Sequence, residues 1–260
     1  MRKKSLGQNF LMHARIAERI ADVARLAPDA TVLEVGPGRG ILTRALLARA
    51  EKVIAVEADS ELVARLNTTF QKEIIEGRLE LIHADIRNFD FQTYLNSRYS
   101  VKEGTYQVVA NIPYYLTGEL FRLFLEAENQ PNSITFLVQK EVAERIARSR
   151  KESVLSLSIK AYGTPKYEFT VKRGAFIPAP KVDSAVFSIR EISRRNFASL
   201  AEEKRFFNIL HAGFAHKRKF VRSNLEGLVS ESLLSSIPSK ARAEDLPLAV
   251  WFSLIPTRAL

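Results

Sequence analysis

The sequence predicts a doubly wound α/β fold, a mostly parallel sheet with an antiparallel edge pair, followed by a small C-terminal α-helical domain. Three observations predict it. Apolar strand-length runs alternate with helix-period segments as far as residue 150, the first run opens directly into a glycine loop, and the alternation stops at Glu191-Ile-Ser-Arg-Arg-Asn-Phe-Ala-Ser199.

Taken in order, residues 12–26 set Ile16, Ile20, Val23 and Leu26 at helical spacing, an amphipathic helix ahead of the first strand. That strand is 31–35, and it runs into Gly36-Pro-Gly-Arg-Gly40. A helix over 42–50 and a strand over 52–57 complete strand, glycine loop, helix and strand within 27 residues. Such a βαβ unit has a right-handed crossover and therefore parallel strands. The alternation continues with a helix over 60–76, strands over 79–83 and 106–110, a helix over 117–126, a strand over 133–139 and a helix over 141–150. Residues 153–161 read as a further helix, and 166–172 and 183–190 as strands flanking a proline-rich turn. Beyond the break, Phe206, Phe207, Leu210 and Phe214 share one helical face, and the remaining segments are short and helical. The expected domains are 1–192 and 193–260.

At 260 residues and 46% hydrophobic composition the chain can bury one sizeable core and supply a second small one. With no cysteine there are no disulfides, thiolate zinc sites or cysteine nucleophiles, which fits a reducing compartment; the cytoplasm is the expected location. No run of 18 apolar residues occurs and the first ten residues lack an apolar signal core, so no membrane partner is expected. His13, His83, His211 and His216 show no metal-ligand spacing, and no metal is expected. A net charge of +10 and a pI near 9.8 favour polyanionic partners, nucleic acid first among them.

A glycine loop at the end of a parallel strand lets a cofactor approach the backbone closely. Here Glu34-Val-Gly36-Pro-Gly38-Arg-Gly40 departs from the G-x-G-x-x-G spacing of dinucleotide sites, and Glu34 is a poor neighbour for a pyrophosphate. An adenosine ligand without phosphates fits better. Glu57 ends the second strand 21 positions after Gly36, where a carboxylate accepts hydrogen bonds from ribose hydroxyls. Asp85, after the third strand, is placed to accept from an adenine amino group, though a cap or loop acid would look the same.

The most informative tetrapeptide is Asn111-Ile112-Pro113-Tyr114, directly after the fourth strand and at the same edge of the sheet. The lone pair of an adenine amino group is delocalised into its ring, so the group must be oriented before its nitrogen can attack a methyl carbon. Two acceptors aimed at its two hydrogens do that. Asn111 supplies an amide oxygen, and Pro113 biases Ile112 to an extended conformation that presents its carbonyl. Tyr114 can stack on the base. This is catalysis by positioning and electrostatics, and it requires a single-stranded or flipped-out base. A turn asparagine and a core tyrosine are each commonplace; the four residues together at this strand end point to chemistry.

These motifs resemble the KsgA-type ribosomal RNA adenine dimethyltransferases, and the likeness runs from residue 3 to about 225. Besides the glycine loop and the tetrapeptide it includes Lys4-Ser-Leu-Gly-Gln-Asn-Phe-Leu11, Phe176-Ile-Pro-Ala-Pro-Lys-Val-Asp-Ser184 and Phe214-Ala-His-Lys-Arg-Lys219. The resemblance implies a Rossmann-like class I methyltransferase sheet and an S-adenosylmethionine site touching Asn9, Leu11, Gly36, Gly38, Glu57, Asp85 and Asn111. It further implies that Phe176 sandwiches the target base opposite Tyr114. The implied targets are two neighbouring adenosines near the 3′ end of small-subunit rRNA, each methylated twice, in free RNA or a pre-30S particle, by a monomeric enzyme. Lys217, Arg218 and Lys219, with Arg222 a turn later, are candidate phosphate contacts in a C-terminal RNA-binding domain; cations complementing a helix dipole would look the same. Arg194, Arg195, Lys140, Arg145, Arg148 and Arg150 can extend that basic surface. Two other readings compete: an Erm-like enzyme acting on large-subunit RNA, and a non-catalytic RNA-binding assembly factor. The last two signatures favour the KsgA-type reading over the first, and the intact tetrapeptide opposes the second.

Overall fold

The computed structural model describes residues 9–99 and 105–255. The first part of the N-terminal signature, residues 4–8, lies outside them. The chain divides into two compact units, one of residues 1–143 and 164–192, the other of 144–163 and 193–260.

Among the described residues the first unit is built on nine strands: β1 (Phe10–Leu11), β2 (Thr31–Val35), β3 (Lys52–Glu57), β4 (Leu79–His83), β5 (Tyr106–Asn111), β6 (Ser133–Gln139), β7 (Thr164–Val171), β8 (Phe176–Ile177) and β9 (Ser184–Arg190). Seven of them form one sheet in the order β4-β3-β2-β5-β6-β9-β7, parallel from β4 to β6 and antiparallel at β9 and β7. The expected mostly parallel sheet with an antiparallel edge pair is therefore present. Its central strands are rich in Val, Ile, Leu and Ala because both faces are covered; Val32, Val53, Ile54, Val108 and Val109 are all inaccessible to solvent. The chain winds outward from β2 to β4, returns to β5 on the other side of β2, and so opens a crevice at the carboxyl ends of these strands.

Helix α1 (Ala14–Ala24) buries Ala17, Ile20, Ala21 and Ala24; it stops at Arg25, whose φ of 52° is left-handed, so Leu26 packs from beyond the helix. Helix α2 (Ile41–Leu47) follows the glycine loop. The expected single helix over 60–76 is two, α3 (Ser60–Thr69) and α4 (Gln71–Ile75), because Phe70 turns inward and is buried beneath Gly40. A Cβ on Gly40 would lie 2.9 Å from Leu66 and closer still to the Phe70 ring, and with φ at 79° the position requires glycine. Helix α5 (Phe91–Tyr99) was not foreseen: among its described side chains Phe91 and Leu95 are the buried ones, too few for a periodic signal. Helix α6 (Thr117–Leu125) stands as expected, and α7 (Lys140–Ala147) carries the chain out of this unit.

The second unit holds α8 (Val154–Tyr162), α9 (Leu200–Phe214), α10 (Val221–Leu225), α11 (Glu231–Leu234) and α12 (Leu248–Ser253). The expected continuous domain 1–192 is thus interrupted: residues 144–163 belong with the C-terminal helices. The reason is packing. Tyr162 stacks on Phe207 at 5.7 Å and donates its hydroxyl to Glu203, Asn196 donates to the Ala161 carbonyl at 2.8 Å, and the Lys151 ammonium meets Glu244 at 2.7 Å and Asp245 at 2.8 Å. Phe197, Phe206, Phe252, Phe214 and Trp251 complete an aromatic core. Among the described residues no helix is long and apolar enough to cross a membrane.

Candidate active site

One pocket opens at the carboxyl edge of the sheet, and it gathers Asn9, Leu11, Gly36, Gly38, Glu57, Asp85, Asn111, Ile112, Pro113, Tyr114 and Phe176. They come from the ends of several strands and the loops that follow them, and the parallel register that aligns Val35, Val56 and Ala110 across β2, β3 and β5 brings the ends of those three together. The N-terminal residues arrive by a device that the sequence pattern did not reveal. β1 pairs antiparallel with β8, Leu11 opposite Phe176, and the Met12 amide donates to the Ala175 carbonyl at 2.9 Å.

That pairing sets the reactive end. The Asn111 side chain donates from Nδ2 to the Asn9 carbonyl at 3.2 Å, which leaves Oδ1 as the amide atom able to accept. Tyr114 is half-buried, its hydroxyl 2.7 Å from Ser184 Oγ, and burial pushes its phenol above the usual range. Its ring is therefore held at a fixed tilt. Phe176 lines the same pocket but is only 2% exposed and packs into the core cluster with Leu11 and Ala175. Sequence reasoning passed over Tyr115, which also lines the pocket and is 56% exposed.

The acids differ in what holds them. Glu57 is buried, with Oε2 accepting from the Gly38 amide and Oε1 from the Asp59 amide, each at 3.0 Å. Burial raises its pKa while those amides oppose the rise, and the bonds tie the end of β3 to the glycine loop. Each carboxylate oxygen keeps a lone pair for a ligand hydroxyl. Asp85 sits at the rim with both oxygens on the Arg87 guanidinium, which holds its carboxyl below the usual range. Asp85, expected to accept from an adenine amine, lines the pocket and is also ion-paired with a cation two residues on.

Glu34 entered the sequence argument only as an unsuitable neighbour for phosphate, and it is the least conventional group in the pocket. It is 1% exposed, and burial next to Glu57 drives its carboxyl up to about 8. The Thr43 hydroxyl beside it tempers the rise but lies outside hydrogen-bonding geometry, so both carboxyl oxygens and that hydroxyl lack partners. A buried carboxyl without partners is costly in the free protein and calls for a ligand bearing donors or positive charge. S-adenosylmethionine, with an ammonium, a sulfonium and no phosphate, fits this acid-lined pocket.

Residues 1–257 match the family model "Ribosomal RNA adenine dimethylase". The chain belongs to that family. It is 39% identical over 261 residues to a ribosomal RNA small subunit methyltransferase A of Dehalococcoides mccartyi, covering 97% of this chain and 87% of the relative. With the protein of the same name from Shouchella clausii it shares 36% over 226 residues, 86% of this chain and 75% of that one. Among solved structures it is similar to the 23S rRNA methyltransferase ErmE, with a TM-score of 0.74, 25% identity and coverage of 95% and 98%. A dimethyladenosine transferase from Plasmodium falciparum, at 22% identity, has the same fold with a TM-score of 0.75 over 94% of this chain and 95% of that one. As a ribosomal RNA adenine dimethylase, the chain uses S-adenosylmethionine and methylates adenine in ribosomal RNA.

In the second unit Lys217, Arg218 and Lys219 are exposed, but they lie in the turn after α9 rather than on a helix. Arg222, grouped with them on sequence, has a different task. Its Nε donates to the Ile237 carbonyl at 2.7 Å and one terminal nitrogen to Ser235 at 2.9 Å, clamping α10 to the segment after α11. Arg194 is likewise held by Glu203 at 3.0 Å. Among the described residues no group of three or more His, Asp or Glu side chains could hold a metal ion.

Proposed function

We propose that this dimethylase methylates two neighbouring adenosines near the 3′ end of small-subunit rRNA, each twice, on a base delivered single-stranded or flipped into the pocket. The naming of its relatives for the small subunit supports the choice of particle. The observation that carries the chemistry is the Asn111 side chain, fixed through Nδ2 to the Asn9 carbonyl at 3.2 Å so that its oxygen is the accepting end.

The bound S-adenosylmethionine supplies an activated methyl group on a sulfonium. Everything else falls to the chain. Gly36, Gly38, Asn9 and Leu11 admit the cofactor against the backbone, Glu57 accepts from its ribose, and Glu34 meets its positive charge. Asn111 Oδ1 and the Ile112 carbonyl accept the two amino hydrogens, turning the nitrogen lone pair out of conjugation and toward the methyl carbon. Neither acceptor has to be a strong base, because the proton leaves after transfer. Tyr114, its hydroxyl fixed by Ser184, stacks on the base, with Phe176 closing the other side. Lys217, Arg218 and Lys219 engage phosphates, and the second unit acts as the RNA-binding part of a monomeric, cytoplasmic enzyme of ribosome biogenesis.

The test offers labelled S-adenosylmethionine with immature small subunits, large subunits and naked RNA in separate reactions. Label in dimethyladenosine of small-subunit RNA is expected. Label confined to large subunits would replace this reading with the Erm-like one, and no transfer to any of the three would leave an RNA-binding assembly role.

A further inference from the structure

A base flipped out of a single strand leaves its neighbour without a stacking partner, and the rim of this pocket carries one. Of the aromatic side chains described, Tyr115 and Phe220 are the exposed ones, and Tyr115 alone of the two lines the pocket. Isolated exposed aromatics need no explanation. Tyr115 differs in its setting. It lies on a short 3₁₀ turn, Tyr114–Leu116, fixed at both ends: the Leu116 amide donates to the Pro113 carbonyl at 3.0 Å, and Thr117 Oγ1 donates to the Tyr114 carbonyl at 2.9 Å. The residues on either side point inward, Tyr114 held by Ser184 and Leu116 buried. Its ring is thus presented on a rigid backbone, one position from the ring that faces the target base.

A cation lies beside it. The Arg87 guanidinium interacts electrostatically with the Tyr115 phenol and with Glu119. Arg87, ion-paired with Asp85, lines both the pocket and an open groove of mixed charge, where Arg122 lies with Asp90, Glu119 and Glu126. What the rim offers a neighbouring base is therefore the exposed ring itself, beside one ion-paired cation.

We propose that Tyr115 is the stacking platform for the nucleotide flanking the target adenosine, a second base subsite on the pocket rim. The subsite rests on the RNA substrate reading above. Tyr115 restores the stacking that flipping removes, so its energy goes to RNA binding and target presentation, while the methyl transfer itself is left to Asn111 and Ile112.

The test uses the full chain with S-adenosylhomocysteine and a single-stranded RNA carrying 2-aminopurine beside the target adenosine, together with steady-state kinetics on the ribosomal substrate that the wild type accepts. Stacking quenches 2-aminopurine on binding. We expect the quench in the wild type and in Tyr115→Phe, and its loss in Tyr115→Ala. We also expect Tyr115→Ala to raise KM for RNA roughly 5- to 100-fold, the range for loss of one stacked base, while kcat falls far less and cofactor affinity is unchanged. Since the side chain is exposed, an unchanged melting temperature checks that the fold is intact. Full quench and unchanged KM in Tyr115→Ala would overturn the subsite alone. Absence of transfer by the wild type to any ribosomal RNA would overturn the substrate reading, and the subsite with it.

Discussion

The acidic floor of the pocket and the basic turn after α9 use charge in opposite ways. Glu34 and Glu57 are both buried, and burial raises the pKa of each; Glu57 is held in place by the Gly38 and Asp59 amides, while the Glu34 carboxyl oxygens have no partner. Lys217, Arg218 and Lys219 are exposed on a turn, where water and salt screen them and only their sum matters. Buried polar groups act through geometry, so a single change should break one step outright. Exposed cations act through field strength, so changes there should be graded and salt-dependent.

The largest effect should come from Asn111→Ala, which removes an oriented acceptor in the pocket. A fall in kcat on the order of 10²- to 10³-fold is expected, with RNA affinity retained, measured by single-turnover methyl transfer alongside filter binding. Full activity would refute the two-acceptor geometry.

Next is the pH dependence of stability. Glu34 has a folded pKa of about 8 against 4.5 for the free side chain. Its contribution is therefore fully present below about pH 4.5 and is lost as pH rises through 8, because the unfolded chain releases the proton first. Glu34→Gln should abolish that decline and stabilise the cofactor-free protein by about 2–5 kcal/mol at pH 8, with little effect at pH 4. Denaturant melts at both pH values check this. A wild type that is equally stable at both would show that the carboxyl is charged and partnered.

On the exposed side, replacing Lys217, Arg218 and Lys219 together with Ala should reduce the slope of log affinity against log salt by about 2, leaving kcat at saturating RNA unchanged. An unaltered slope would remove these cations from the RNA path. Arg222→Ala should do the reverse. It frees carbonyls at Ser235 and Ile237, costing about 1 kcal/mol of stability, while the salt slope stays as it was.

Most of the sheet was legible because its strands are strongly patterned. Strands β2, β3, β4 and β6 begin and end where the apolar runs do, and even β4, partly buried at the sheet edge, keeps Leu79, Leu81 and Ile82. Helix boundaries were less legible where packing intervened, as at Phe70, which breaks 60–76 in order to fill the space under Gly40. The pocket residues were readable for a related reason: a carboxyl edge gathers whatever ends the strands, so Glu57 and Asn111 could be placed together without coordinates.

The amino-acid sequence by itself determined the doubly wound sheet, the glycine loop, the acid and tetrapeptide at its edge, and the family to which they belong, because these depend on spacing along single strands. The tertiary structure alone decided matters that depend on segments far apart in the chain. It joined β1 to β8 and so turned Asn111 through the Asn9 carbonyl, 102 positions away. It gave residues 144–163 to the second unit, turned Arg222 into a clamp, and exposed Tyr115 while burying Phe176. It also isolated Glu34, whose raised pKa comes from the burial that strand pairing and helix packing impose and that no local pattern records.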